Sequence, residues 1–131
     1  AGCDLTRLIA LLAALLPLAS VSSPVLAQTL DLGGPYGNET GCRAAGGEEE
    51  PGEDALVLRP DRIETRELIC SFVQVLTAGD GTKVVTALCD IEGEEGRSVN
   101  LFSIAASGTD PASLVIRDEY GAAWDEVKPC S

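Results

Sequence analysis

The chain has 131 residues, with 21 Asp and Glu against 9 Lys and Arg, no His, and a net charge of −12 at pH 7. This charge argues against binding to nucleic acid or to an anionic lipid surface, because phosphate contacts need clusters of Lys and Arg. A basic protein partner or a divalent cation is compatible with it, and so is solubility alone, which is the favoured interpretation. The absence of His excludes Ser-His-Asp and Cys-His catalysis and His-ligated metals.

Residues 1–27 have the pattern of a cleaved secretory signal peptide. The apolar run 8–19 is too short for a membrane-spanning helix, which needs ~20 residues. Val25 and Ala27, at the −3 and −1 positions, then match a cleavage site. We expect cleavage after Ala27, with loss of Cys3 and no membrane insertion afterwards; an uncleaved anchor is the alternative. About 104 residues remain, enough for one domain. The leader carries one acid and one base, so the net charge stays −12.

The mature chain keeps four cysteines, and this even number in a short exported chain predicts two disulfides. The chain has no Cys-x-x-Cys pair and no His, so we expect no metal site. Four cysteines allow three pairings. We favour Cys70–Cys89 together with Cys42–Cys130, and the pairing Cys42–Cys70 with Cys89–Cys130 stays open.

Residues 28–54 read as a turn-rich acidic arm that is partly disordered. Gly and Pro are frequent, and three consecutive Glu residues at 48–50 repel one another, so 48–54 is expected to be a mobile loop. A disulfide at Cys42 would tie this arm to the domain that follows, residues 55–131.

The centre of that domain is a predicted β-hairpin. Two runs rich in Val, Ile, Phe and Thr, 68–76 and 83–91, are joined by a turn containing Gly79-Asp80-Gly81. Cys70 and Cys89 lie about equally far from this turn, so a pleated hairpin places both sulfurs on one face and nearly opposite.

Further short strands are predicted at 55–58, 99–105, 114–116 and 123–127, and residues 63–67 are expected to be extended. Six strands separated by turns, without a long amphipathic helix, predict an all-β fold. We expect a small antiparallel meander, either a barrel or a strongly curved sheet, cross-linked by two disulfides.

Candidate chemistry is sparse, and we predict no catalytic, cofactor-binding or metal residues. A carboxylate pair of the glycosidase kind would need two acids facing one cleft, and the sequence pairs none of its strand acids Glu64, Glu67, Asp90, Asp125 and Glu126. The acidic runs 48–50 and 92–95 lack the ligand spacing of a calcium loop, so solvated acid is the better interpretation.

Large amphipathic aromatic residues offer one possible binding patch. If Cys42 and Cys130 are bridged, Tyr36 and Trp124 come near each other and line a small recognition surface, although core packing is the alternative for a lone Trp.

The leader, the opening around Tyr36-Gly37-Asn38-Glu39 with Cys42, and the other three cysteines resemble small four-cysteine exported proteins of Gram-negative bacteria that have no assigned role. The resemblance implies a periplasmic or secreted location and no activity. The chain is also similar to periplasmic lysozyme inhibitors, which are small disulfide-bonded β-barrels. Ser107-Gly108 resembles part of their Ser/Gly-rich inhibitory loop, but the rest of that loop is absent, so no site residue is carried over.

These features predict a non-enzymatic exported β protein that acts by binding. Inhibition of a basic secreted enzyme such as lysozyme is one alternative, and a structural role in the envelope is another. A small carboxylate-dependent hydrolase is the least favoured. The sequence does not predict the oligomeric state.

Overall fold

The computed structural model describes residues 17–20, 28–48 and 50–131. Most of the predicted leader, including Cys3 and Ala27, lies outside these residues, so its cleavage stays a prediction. Within the described part of the chain, no helix has the length and apolar character needed to cross a membrane. The elements are β1 (Tyr36–Gly37), α1 (Glu39–Ala45), β2 (Leu56–Arg59), β3 (Arg62–Thr65), β4 (Leu68–Thr77), β5 (Lys83–Ile91), β6 (Ser98–Ala106), β7 (Leu114–Asp118) and β8 (Ala123–Pro129).

The eight strands form a closed antiparallel barrel in chain order. Each strand pairs with its neighbours in the sequence, and β1 pairs with both β2 and β8 to complete the ring. The prediction of an all-β antiparallel meander is confirmed, and the barrel is the form that it takes. In the run expected to be extended at 63–67, residues 63–65 belong to β3, and a bend at 66–67 leads into β4.

The central hairpin is confirmed in both its bounds and its register. Cys70 and Cys89 are direct cross-strand partners, and their disulfide joins Cα atoms 4.0 Å apart. Gly81 in the turn has a φ of +90°, a conformation that glycine adopts without a Cβ clash.

The favoured second disulfide is also present. Cys42, in α1, is bonded to Cys130 after the end of β8, across a sequence separation of 88 residues. It ties the helix to the C-terminal end of the barrel. The two disulfides are consistent with an oxidising extracellular compartment.

The barrel interior is filled by apolar side chains. The largest fully buried hydrophobic side chains come from six different strands, and both sulfurs of the hairpin disulfide lie among them; these hydrophobic residues are Leu58, Ile63, Val85, Phe102, Ile116 and Val127. Leu30 covers one end of the barrel, where its N–H donates to the Pro60 carbonyl at 2.7 Å. An eight-stranded barrel is just wide enough for side chains to fill it.

Both α1 and β1 lie within residues 28–54, where composition predicts little regular structure. The helix is short, and its specific contacts are tertiary. Asn38 caps its first turn by accepting the Gly41 N–H at 2.8 Å. Gly41 is buried against β2 so closely that a Cβ there would lie 2.1 Å from the Leu56 carbonyl oxygen.

We expect the replacement Gly41→Ala to destabilise the protein by about 1–3 kcal/mol or more. Alanine is favoured over glycine in a helix by roughly 1 kcal/mol, but the backbone oxygen of Leu56 cannot rotate away, and the neighbouring Cys42 disulfide limits movement of α1. Urea unfolding measures the change in free energy.

Gly46→Ala is the matched control, because Gly46 ends the same helix with right-handed backbone angles. A Cβ at Gly46 meets its nearest atom at 3.5 Å, so this variant should be neutral or more stable by up to about 1 kcal/mol. Equal effects of the two substitutions would contradict the close packing of α1 against β2.

We expect the Cys42–Cys130 disulfide to be reduced before Cys70–Cys89 in the folded protein. Its two cysteines are half-buried, whereas Cys70 and Cys89 are 0% and 2% exposed, and a reductant must reach a sulfur atom to attack it. Timed reduction followed by alkylation and mass mapping should show a species labelled only at Cys42 and Cys130. Simultaneous appearance of four labels would contradict this order.

Candidate functional site

The two aromatic residues of the predicted patch lie at different places on the barrel. Trp124 packs edge-on against Phe102, with ring centroids 4.8 Å apart, and borders an open cavity of about 380 Å³. Tyr36 borders another cavity, of about 300 Å³, beside Leu30. Tyr36 pairs with Pro129, and five residues along a strand span roughly 17 Å. The Cys42–Cys130 bridge therefore forms without placing the two rings in one cavity, and their role in binding stays a prediction.

An open cavity of about 530 Å³ lies beside the Cys42–Cys130 disulfide. We call it the acidic groove. The start of α1 and the loop between β6 and β7 form its sides, and the end of β8 contributes to its floor. Its charged lining residues are three carboxylates and one amine: Glu39, Asp110, Glu126 and Lys128.

Asp110 organises the loop on one side of the groove. Its carboxylate accepts the Ala112 N–H at 2.9 Å and the Ser113 hydroxyl at 3.1 Å, and Lys128 Nζ lies 3.3 Å away. The Ala112 N–H, then Lys128 and Ser113, hold the pKa of Asp110 below its usual value. Asp110 therefore stays ionised at neutral pH and fixes the position of Lys128.

Asn38 joins the groove to the barrel through several hydrogen bonds. Its side-chain oxygen accepts the N–H groups of Gly41 and Leu56, and its side-chain nitrogen donates to the Asp54 carbonyl and to Asp125 Oδ2. Both hydrogens of the Asn38 amide are therefore engaged. Asn38 is a structural residue that holds α1 against β2.

Three of the five strand acids considered from the sequence have side-chain partners in the structure. Glu64 pairs with Arg59 and Arg62, Asp90 pairs with Arg97 at 3.1 Å, and Asp125 accepts from Asn38. Glu126 is the member of this set that lines the acidic groove. Among the described residues, no group of three or more Cys, Asp or Glu side chains is arranged to hold a metal ion.

A second surface was not anticipated from the sequence. The outward sides of β4, β5 and β6 carry six apolar residues, which we call the apolar face: Val73, Leu76, Val84, Leu88, Val99 and Leu101. Leu88 is half-buried, and the others are between 38% and 67% exposed. Several exposed apolar side chains on one strand face are typical of an interaction site.

Strand register makes these residues neighbours. Leu76 lies opposite Val84, and Leu88 lies opposite Val99. Val73 is the extra residue of a β-bulge, where the register shifts between Phe72 and Gln74. The sequence contains a signal for this surface. These strands carry apolar residues at both odd and even positions, whereas in a half-buried strand apolar residues alternate with polar ones.

One end of the apolar face is acidic. Beyond Leu88 and Val99, the turn between β5 and β6 contains three exposed carboxylates, Glu92, Glu94 and Glu95. We call residues 92–97 the acidic turn. Arg97, its one cation, is paired with Asp90, so the turn keeps a negative charge.

No protein-family model, curated protein or solved structure matches this chain. Function is therefore inferred from the chemistry of its own surfaces.

We expect Asp110→Asn to lower stability at pH 7 and to have a vanishing effect in acid. Because folding lowers the pKa of Asp110 from its ordinary value of 3.8, its ionised form stabilises the folded state above that pH. This contribution is lost as the pH falls through the lower folded value. Urea unfolding at several pH values measures it.

Glu119→Gln is the control, because it removes the same charge from an exposed side chain in the turn between β7 and β8. A stability loss for Asp110→Asn that is unchanged from pH 7 to strongly acidic conditions would contradict the role of the ionised carboxylate.

Proposed function

We propose that the protein is an exported binding protein, periplasmic or secreted, whose ligand is a basic protein. The observation that carries this proposal is the charge of −12 on a small cross-linked barrel. Complementary charge accelerates encounter and selects partners more than it adds raw affinity. The sequence pattern of the leader and the two disulfides support the location.

The acidic groove and the acidic turn are the surfaces that suit such a ligand. In the groove, Lys128 pairs with Asp110 and Arg43 pairs with Glu39. Glu126 leaves the groove with a net negative charge for a basic partner. The Cys42–Cys130 disulfide and the Asn38 hydrogen bonds hold the α1 side of the groove, and the Asp110 hydrogen bonds hold its loop side. A fixed surface loses little conformational freedom when it binds.

A second candidate is inhibition of a basic secreted enzyme such as a lysozyme. The observation that favours it is the position of Ser107-Gly108, in the loop that borders the acidic groove through Thr109 and Asp110. The Ser107 N–H donates to the Ser113 carbonyl at 2.8 Å, which closes the base of this loop and presents its tip outward.

We expect saturable binding of the purified, oxidised protein to basic proteins, tested by calorimetry with a lysozyme and with cytochrome c. Affinity should fall as the ionic strength rises from about 0.05 to 0.3 M, because added salt shortens the range of charge attraction. An acidic protein of similar size is the control ligand. Loss of lysozyme activity in the same mixtures would select the inhibitor.

Specific binding should persist at about 0.15 M ionic strength with one-to-one stoichiometry. Absence of saturable binding to every basic protein at low salt would reject the proposal. Equal binding of the acidic control protein would reject charge as its basis.

A further inference from the structure

The apolar face joins two apolar cross-strand pairs on the outer side of β4, β5 and β6, and the buried Cys70–Cys89 disulfide links the first two of these strands. Gln74 and Thr86 lie opposite each other between the two pairs, and Leu101 lies opposite Thr86. Leu76 opposite Val84 marks one end and Leu88 opposite Val99 marks the other. Four residues along β5 separate these pairs, which corresponds to roughly 14 Å.

This size suits one helix lying on the sheet. A helix rises about 1.5 Å per residue, so about nine residues, or two and a half turns, cover the length of the face. Apolar side chains three and four positions apart lie on one side of such a helix. The apolar side chains on that side of the helix would contact Val84, Leu88 and Leu101.

Charge distinguishes the two ends of the face. Glu92, Glu94 and Glu95 lie beyond the pair of Leu88 and Val99. At the other end, the turn between β4 and β5 contains Asp80, and Lys83 follows it. Lysine and arginine at one end of a partner would therefore meet the acidic turn.

We propose that the apolar face is the docking site for a cationic amphipathic helix of another protein, with its apolar side on β4–β6 and its basic residues towards the acidic turn. This inference rests on the proposed function and names the partner's chemistry. Charge complementarity selects this occupant. A second copy of the chain would bring two bodies of charge −12 together, and an anionic membrane would repel the acidic turn.

The test uses a fluorescent Leu/Lys peptide of 18 residues with an amphipathic helical pattern, and a scrambled peptide of the same composition. Anisotropy measures binding to the full, oxidised chain. Val84→Thr with Leu101→Thr should weaken binding of the amphipathic peptide about tenfold at every salt concentration, because it removes two apolar contacts from the face. Threonine suits an exposed strand position, and circular dichroism together with disulfide mapping verifies folding.

Glu92→Gln with Glu94→Gln and Glu95→Gln should weaken binding severalfold at low salt, and this difference should disappear at high salt. The matched control is Glu48→Gln with Glu119→Gln, which removes two exposed carboxylates outside both surfaces and should leave peptide binding unchanged. A separate groove variant, Glu39→Gln with Glu126→Gln, removes carboxylates from the acidic groove. The scrambled peptide should bind at least tenfold more weakly than the amphipathic one.

Other outcomes overturn the inference in distinguishable ways. If only the groove variant loses binding to the peptide and to basic proteins, the proposed function stands and the apolar face is not the docking site. If sedimentation shows a dimer that the Val84→Thr, Leu101→Thr variant dissociates, the occupant is a second copy. If the same variant abolishes flotation with phosphatidylcholine vesicles, the occupant is a lipid surface. If neither peptide nor basic protein binds, the proposed function fails as well.

Discussion

Closure of the barrel by β1 is the constraint on which the rest of the structure depends. This strand has two residues, yet it pairs with β2 on one side and β8 on the other, and without it those two strands would present open edges that favour aggregation. So short a strand gains little from its own ladder. It is held by what surrounds it: the Cys130 N–H donates to the Pro35 carbonyl at 2.9 Å, and the Cys42–Cys130 disulfide fixes the helix that follows. Close contact of Gly41 with β2 completes this attachment.

A closed and filled barrel places binding on its exterior. Phe102, Leu58 and the other buried side chains occupy the centre, so the surfaces available to a protein ligand are the outer strand faces and the loops. The acidic groove lies beside α1, near the point where β1 and β8 close the barrel. The apolar face lies on the long strands β4–β6. Each disulfide stabilises one of these regions. Cys42–Cys130 holds α1 beside the groove, and Cys70–Cys89 cross-links the hairpin beneath the apolar face. The same cross-links that stabilise a small domain therefore also keep its candidate binding surfaces rigid.

Much of the scaffold was predictable because its causes are local. Period-two patterning identifies most of the strands, and Gly81 supplies the positive φ that the hairpin turn requires. The equal distances of Cys70 and Cys89 from that turn made their pairing the favoured choice, and the other pairing then followed. Residues 28–54 lacked such a pattern. Asn38 and Gly41 act through contacts with Leu56, a partner more than ten residues away, and no local rule identifies that partner.

The sequence by itself determined the acidic charge and predicted the antiparallel β class and the central hairpin, because these depend on composition and on neighbours along the chain. It favoured the Cys70–Cys89 pairing and left the alternative open, and the tertiary structure decided between them. Only the tertiary structure decided that the meander closes into a barrel, since closure depends on β1 meeting β8 from opposite ends of the domain. It also decided which residues face outward. The bulge at Val73 restarts the alternation of β4, so that Val75 is buried and Leu76 is exposed. The unpaired residue Val73 thus decides which side chains of β4 belong to the apolar face. The position of this bulge depends on how β4 pairs with β5.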